Sequence, residues 1–365
     1  MSSDIQKSVI LAGGGHTHAL VLNALKENPL QVAHITVINP GKTAPYSGML
    51  PGYVAGHYKR AELDIDLQQL SQDVGATLID SKAVSIDTTK KLVHLENGHT
   101  LSYHLASVDV GITSHMNDLP GFTEHGVPAK PLANFAHKWE DFRNAAGTKH
   151  VAVIGGGIAG AELSMAMAFA LRADKHDVSV DLLDRSYILS NSSNKTQKCI
   201  REKLKANNVS VYEHANVIHV TATGVDLADG SSIAANFVVG AAGATPHAWI
   251  KTTGLNLYKG FIIVNEYLQT SVPDVFAVGD CAHMEFDPRP KAGVYAVRQA
   301  PILLNNIRMA LSDAPLTNYA PQSDYLKLVS LGDQQAFGEK MGCGMSGRIV
   351  WRLKNHIDKS FMNQF

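Results

Sequence analysis

The sequence predicts an α/β fold of two related domains, each a parallel sheet covered by helices and carrying a small β-meander, and three observations support it. A strand, a run of three glycines and a helix occur twice, in SVILAGGGHTHALVLNAL (Ser8 to Leu25) and HVAVIGGGIAGAELSMAMAFAL (His150 to Leu171). Each copy is followed by a second apolar strand and by alternating strands around a turn dipeptide, Asn97-Gly98 in the first half and Asp229-Gly230 in the second. Each half then closes on an apolar strand with a terminal glycine, LASVDVG to Gly111 and FVVGAAG to Gly243, trailed by proline. Strands alternating with helices, buried on both faces, are the mark of parallel sheets.

Taken in order, Ser8 to Ala12 is a short apolar strand, and the residues after Gly13, Gly14 and Gly15 switch to helical spacing. AHITVIN (Ala33 to Asn39) supplies the next strand, and KLVHLENGHTLSYH reads as a hairpin turning at Asn97-Gly98. The second half repeats the plan, with DVSVDLLD (Asp177 to Asp184) and TGVDLADGSSIAANF in the same places. Beyond it, a turn at Pro273-Asp274 feeds a strand, Val275 to Val278, that ends in Gly279-Asp280. PKAGVYAVRQAPILLNNIRMAL (Pro290 to Leu311) has helical spacing, with Pro290 and Gly293 marking its start. In the tail, a helix over Arg348 to Phe365 would place Val350, Leu353, Ile357 and Phe361 on one stripe, with Arg348, Arg352 and Lys359 elsewhere around it.

Bulk properties narrow the class. A chain of 365 residues suits two domains, and 45% hydrophobic, 18% charged residues with a net charge of -1 leave no basic excess to neutralise phosphates, so nucleic acid is not an expected partner. Cys199, Cys281 and Cys343 are widely spaced without a C-x-x-C pair, which argues against a disulfide scaffold or a thiolate zinc site and fits a reducing cytoplasm. The chain enters a strand pattern almost at once, so no secretory signal is expected. No apolar run approaches the roughly 18 residues of a membrane span.

The glycine loops carry the chemistry. In the second, Gly155 permits a tight turn, Gly157 lets backbone N–H groups approach a pyrophosphate and Gly160 lets helix and strand pack closely. Asp184, at the end of the next strand, stands where a carboxylate accepts hydrogen bonds from a ribose; it would repel the extra phosphate of NADP, although Arg185 beside it weakens that preference. In the first loop Gly13 and Gly15 fill two of the three positions and His18 the third, while Asn39 replaces the acid. His16 and His18 are either packing residues or contacts to a cofactor phosphate or flavin edge; their spacing and the lack of neighbouring ligands point away from a metal. Asp280 is open to a bland reading as a capping residue.

With these residues in view, VPDVFAVGDCAH (Val272 to His283) resembles the flavin-binding signature of the two-dinucleotide-domain flavoproteins, the pyridine nucleotide-disulfide oxidoreductase superfamily. The resemblance implies two Rossmann-like FAD/NAD(P)-binding domains, the NAD domain inserted in the FAD domain. The boundaries it implies are 1–118 and 245–325 for the FAD domain, 119–244 for the NAD(P)H domain and 326–365 for a short C-terminal segment. FAD would be held by Gly13, Gly14, Gly15, His16, His18, Asn39, Pro45, Gly111, Gly279 and Asp280, with Gly293 and Val294 at a helix start facing the flavin. NADH, in preference to NADPH, would be held by Gly155, Gly157, Gly160, Asp184 and Gly243, and Glu162 would be the catalytic residue near the meeting of the two cofactors. A glutamate in the first helical turn also simply complements the dipole.

GKTAPYSGMLPGYVAGHYKR (Gly41 to Arg60) lacks the cysteine pair of the disulfide reductases, and the chain resembles the type II NADH dehydrogenases. It is most similar to the branch fused to or associated with selenophosphate synthetases, through Gly13 to His18, Pro45 to Tyr58 and Trp351 to Met362. The expected reaction is hydride transfer from NADH to flavin, then electron transfer to a small acceptor, with quinone foremost. Gly293, Val294, Ala296 and Arg298 depart from the family's glutamine-bearing quinone motif. Alternatives are a sulfide:quinone or soluble-acceptor reductase of the same fold, and a non-catalytic flavin- or nucleotide-binding partner linked to selenium metabolism. The expected location is cytoplasmic, with the tail helix docking on the inner membrane's cytoplasmic face, on a second subunit of a homodimer or on its own chain.

Overall fold

The alternating apolar runs form two five-stranded parallel sheets in the computed structural model, which describes residues 7–174 and 177–365. The first unit contains β1 (Lys7–Ala12), α1 (His16–Leu25), β2 (Ala33–Asn39), β3 (Thr77–Asp80) and β4 (Leu105–Val108). The second contains β5 (Gly126–Pro128), β6 (Lys149–Ile154), α2 (Ile158–Ala173), β7 (Val178–Leu183), β8 (Ser210–Tyr212) and β9 (Phe237–Gly240). The chain then returns to the first unit with β10 (Val275–Ala277) and α3 (Gly293–Leu311). The sheet orders are β10-β4-β1-β2-β3 and β5-β9-β6-β7-β8, every pair parallel. In both sheets the strand before the glycine loop is central.

Burial explains that order. Val9 to Ala12 are at most 1% exposed, and Val151 to Val153 are fully buried, so each glycine-preceding strand is covered on both faces. Ala19, Leu22 and Leu25 of α1 and Leu303, Ile307 and Leu311 of α3 pack into the core of the first sheet, while α2 buries Leu163, Met167 and Leu171 against the second. Each such side chain contributes about 1.5–3 kcal/mol on burial. The two meanders, Ala83–Ser102 and Val217–Ala234, are antiparallel and turn at Asn97-Gly98 and Asp229-Gly230, where Gly98 and Gly230 take φ of 85° and 86°.

The C-terminal segment is an antiparallel sheet of β11 (Lys327–Ser330), β12 (Ala336–Lys340) and β13 (Cys343–Gly347), followed by α4 (Arg348–Met362). The helix is where expected, but its buried face is not the stripe of Val350, Leu353, Ile357 and Phe361. Leu353 and Ile357 are 46% and 40% exposed, whereas the inward row is Val350, Lys354 and Asp358. The Lys354 ammonium donates to Asp358 Oδ2 and to Gly48 O, both at 2.6 Å, and the Tyr46 hydroxyl donates to Asp358 Oδ1 at 3.4 Å. Because the charges satisfy each other internally, polar residues occupy the inner face and apolar ones are left outside. Phe361 does face inward, stacked on Tyr46 with ring centroids 4.4 Å apart.

Candidate functional site

The first glycine loop is held from beneath by two strand ends, those of β2 and β4. Gly13 N–H donates to Ile38 O at 2.8 Å, Gly14 N–H to Asn39 Oδ1 at 3.0 Å and Gly15 N–H to Asp109 O at 3.2 Å. Gly13 has φ of 95°, and a Cβ there would lie 2.4 Å from Asp109 O, so only glycine fits. Asn39, expected at a ribose, instead braces the loop through Gly14, and its amide donates to Gly41 O and Thr43 O; it also lines the cavity above.

That cavity, about 520 Å³, opens over the C-terminal ends of the first sheet. Gly13, Gly14, Gly15, His16, Asn39 and Pro45 line it together with Gly111, Gly279, Asp280 and Gly293. His16 is half-buried, its ring 5.3 Å from that of Tyr46, and desolvation holds its imidazole below the usual pKa. Val294 and His18 do not line the cavity. His18 is fully buried under the loop, its Nδ1 2.6 Å from Gly13 O and its Nε2 2.8 Å from Ser107 Oγ, and burial lowers its pKa to about 4. Its contact with a cofactor is therefore corrected to a structural role: the neutral ring ties the loop to β4.

Three residues that sequence reasoning missed complete this site. Lys130 reaches across to donate to Asp280 Oδ2 at 3.0 Å, and Lys291 donates to Ala282 O while lying over the Phe261 ring. Asp109, 4% exposed, follows β4 and accepts at Oδ2 from Thr17 N–H (3.0 Å) and His18 N–H (3.2 Å) in the first turn of α1. A Cβ on Gly15 would lie 2.2 Å from its carboxyl carbon, and one on Gly279 2.4 Å from its Oδ1. The small size of Gly15 thus makes room for a carboxyl group of this chain. A signal existed: LASVDVG set against FVVGAAG puts Asp109 opposite Ala241.

The second loop repeats the bracing. Gly155, with φ of 119°, leaves no room for a side chain against Ala242 N, and a Cβ on Gly160 would lie 1.9 Å from Gly155 O. Gly157 meets nothing within 4 Å, which leaves its outer side open. Asp184 Oδ2 accepts from Gly156 N–H at 2.7 Å, as Asn39 does from Gly14, and its Oδ1 accepts from Ser186 N–H at 2.8 Å. Gly243, with φ of 74°, closes β9 as Gly111 closes β4.

Glu162 lies beyond the first turn of α2, which holds no acidic residue, and it does not line the first cavity, so it is not placed to complement the helix dipole as its sequence position suggested. Its Oε1 accepts from Ser330 N–H at 2.6 Å, and burial pushes its carboxyl up to about 7 against the opposing pull of Lys354. It therefore faces the C-terminal segment. Among the described residues no helix is long and apolar enough to cross a membrane.

Two parallel sheets with braced glycine loops, one below a cavity of about 520 Å³, define a protein built for two dinucleotides. A family model for pyridine nucleotide-disulphide oxidoreductases matches residues 7–300, and the chain belongs to that family. FAD and NAD(P)H are the family's cofactors, and the residues of the first cavity fit a dinucleotide. The chain is 25% identical over 291 residues to the assimilatory nitrate reductase electron transfer subunit of Bacillus subtilis, covering 76% of this chain and 36% of that protein. It is 26% identical over 295 residues to ferroptosis suppressor protein 1 of Xenopus tropicalis, covering 76% of this chain and 75% of that one. The chain thus spans about a third of the first relative's length. Among solved structures, the sulfide:quinone oxidoreductase of Aquifex aeolicus superposes with a TM-score of 0.78 at 17% identity, over 98% of this chain and 92% of that one. The water-forming NADH oxidase of Lactobacillus brevis gives 0.74 at 20% identity, over 92% and 75%. These likenesses are in fold.

Proposed function

We propose that the chain is an FAD-dependent NADH:quinone oxidoreductase of the type II NADH dehydrogenase kind, with FAD on the first loop and NADH on the second. The observation that carries the reading is the pair of braced glycine loops in one chain, the second with an acid at its ribose position and the first below a cavity. FAD, when bound, would accept a hydride from NADH and release electrons singly or in pairs. The protein's part is to orient the rings, exclude water and place charge. Gly293 sets the N-terminal end of α3 on the cavity, where its dipole would favour negative charge on a bound flavin. Glu162, titrating near neutrality, is suited to holding a proton on the side of the C-terminal segment. On this reading the FAD domain is 1–118 with 245–325, the NADH domain 119–244 and the C-terminal segment 326–365.

Two observations favour a quinone over a disulfide acceptor. Among the described residues no cysteine lines the cavity, and Cys281, beside it, has its thiol pushed up to about 12 by burial. The exposed face of α4 combines Ile349, Leu353 and Ile357 with Arg348, Arg352 and Lys359, which suits docking on an anionic bilayer where quinones dissolve. Acceptor profiling tests the first point: NADH-driven turnover with a short-chain quinone is expected, and turnover only with a soluble protein or sulfide-derived acceptor would contradict it. Co-sedimentation with anionic liposomes tests the second. It is expected for the intact chain and lost in the double variant Ile349→Glu, Leu353→Glu; equal sedimentation of both would remove the membrane from the account.

A further inference from the structure

Asp109 brings a carboxyl group to the place where the fold already gathers positive partial charge. The first-turn amides of α1, which the glycine loop exposes for a diphosphate, give two of their N–H groups, those of Thr17 and His18, to its Oδ2. The carboxyl is wedged between Gly15 and Gly279 and reaches the floor of the cavity. A free carboxylate and a diphosphate are both anions, and in a poorly hydrated site they repel strongly. We propose that Asp109 is an FAD-binding residue that takes up one proton from solvent as the cofactor seats, so that the neutral carboxyl hydrogen-bonds beside the diphosphate instead of opposing it. This rests on the reading of the first loop as the FAD site.

The surroundings support the exchange. Asp109 forms no ion pair among the described residues, and burial pushes its carboxyl up to about 7 even before a phosphate arrives, against the opposing pull of the two amides. From α1, the imidazoles of His16 and His18 are both lowered by burial, and the His18 ring is engaged with Gly13 O and Ser107 Oγ. From the turn after β10, Asp280 adds negative charge that raises it further, and Cys281 is a neutral thiol. Lys130 is engaged with Asp280, and Lys291, ahead of α3, is itself lowered by burial. Behind the carboxyl, His247 meets Val110 O at 3.1 Å and is likewise lowered. Two added phosphate charges shift the balance further toward the protonated form. The second loop has Ala241 at this register, so nicotinamide dinucleotide binding lacks the linkage.

The sign is fixed by the direction of the shift. With a free-state value near 7 and a higher one when FAD is bound, binding draws in a proton above pH 7, and affinity falls as pH rises. The test is dissociation of FAD from the full-length holoprotein on dilution, read by recovery of flavin fluorescence between about pH 6 and pH 8.5. Wild type should hold FAD with a level Kd below pH 7 and lose affinity by up to about tenfold per pH unit above it. Asp109→Asn, which keeps an oxygen for the two amides, should hold FAD with a Kd that is level throughout. A level Kd in wild type, or an unchanged slope in Asp109→Asn, overturns the inference while leaving the FAD site standing. A chain that carries no flavin and binds none at any pH overturns the FAD reading itself.

Discussion

His18 occupies the third fingerprint position of the first loop, where a glycine would let helix and strand close up, and it compensates with two hydrogen bonds from a fully buried ring. His18→Ala should leave Gly13 O and Ser107 Oγ less satisfied and open a cavity, costing about 2–4 kcal/mol. The expected result is a melting temperature lower by several degrees with flavin stoichiometry unchanged; an unchanged melting temperature with lost flavin would restore the cofactor contact. Its pKa is depressed from 6.5 to about 4 in the folded chain, so the stability it contributes is present above 6.5 and lost as pH falls toward 4. Asp109 acts oppositely. Its folded value is raised from 3.8 to about 7, so folding is disfavoured increasingly as pH rises through that interval. Flavin-free Asp109→Asn should therefore gain stability over wild type between pH 4 and pH 7, measured by denaturant unfolding; a constant difference would refute the raised carboxyl.

Asp184 carries a second prediction at this scale, because it braces Gly156 and, on the function proposed above, presents charge at the ribose position. Asp184→Asn keeps an acceptor oxygen and removes the charge. The ratio of kcat/KM for NADPH over NADH should rise by about tenfold or more, the size of one removed charge repulsion in a partly desolvated site. An unchanged ratio would place the discrimination elsewhere.

Among the elements, the two strand-loop-helix units were legible because the glycine runs interrupt apolar patterns of opposite period, from alternating to helical. Strand ends such as Ala33–Asn39 fall where the sequence pattern ends. The inner face of α4 was not legible. Hydrophobic periodicity assumes that apolar residues face inward, and here Lys354 and Asp358 do so as a mutually satisfied pair, only 9% and 5% exposed in their side chains. Lys130 was missed for a related reason: its importance lies in meeting Asp280, 150 residues away in sequence, which no local pattern encodes. The buried pair sets its own test. Lys354→Met should cost about 3–5 kcal/mol by stranding Asp358, and adding Asp358→Leu should recover most of it, as measured by denaturant unfolding. Additive losses would mean that the two charges do not satisfy each other.

For the whole molecule, the repeated architecture was readable because both halves obey the same rule, a buried parallel strand feeding a glycine loop at the sheet's C-terminal edge. Which loop serves which cofactor is not contained in that rule; the assignment proposed above rests on what stands around each loop. The cavity, Asp280 and the start of α3 gather at the first, and an acid braces the second. The central claim, that one chain carries electrons from NADH through a bound flavin, is tested most directly by titrating the purified, FAD-loaded protein with NADH in the absence of oxygen while recording its absorbance. The account predicts stoichiometric bleaching of the flavin band, restored by adding a quinone. A flavin that stays oxidised under excess NADH would contradict it.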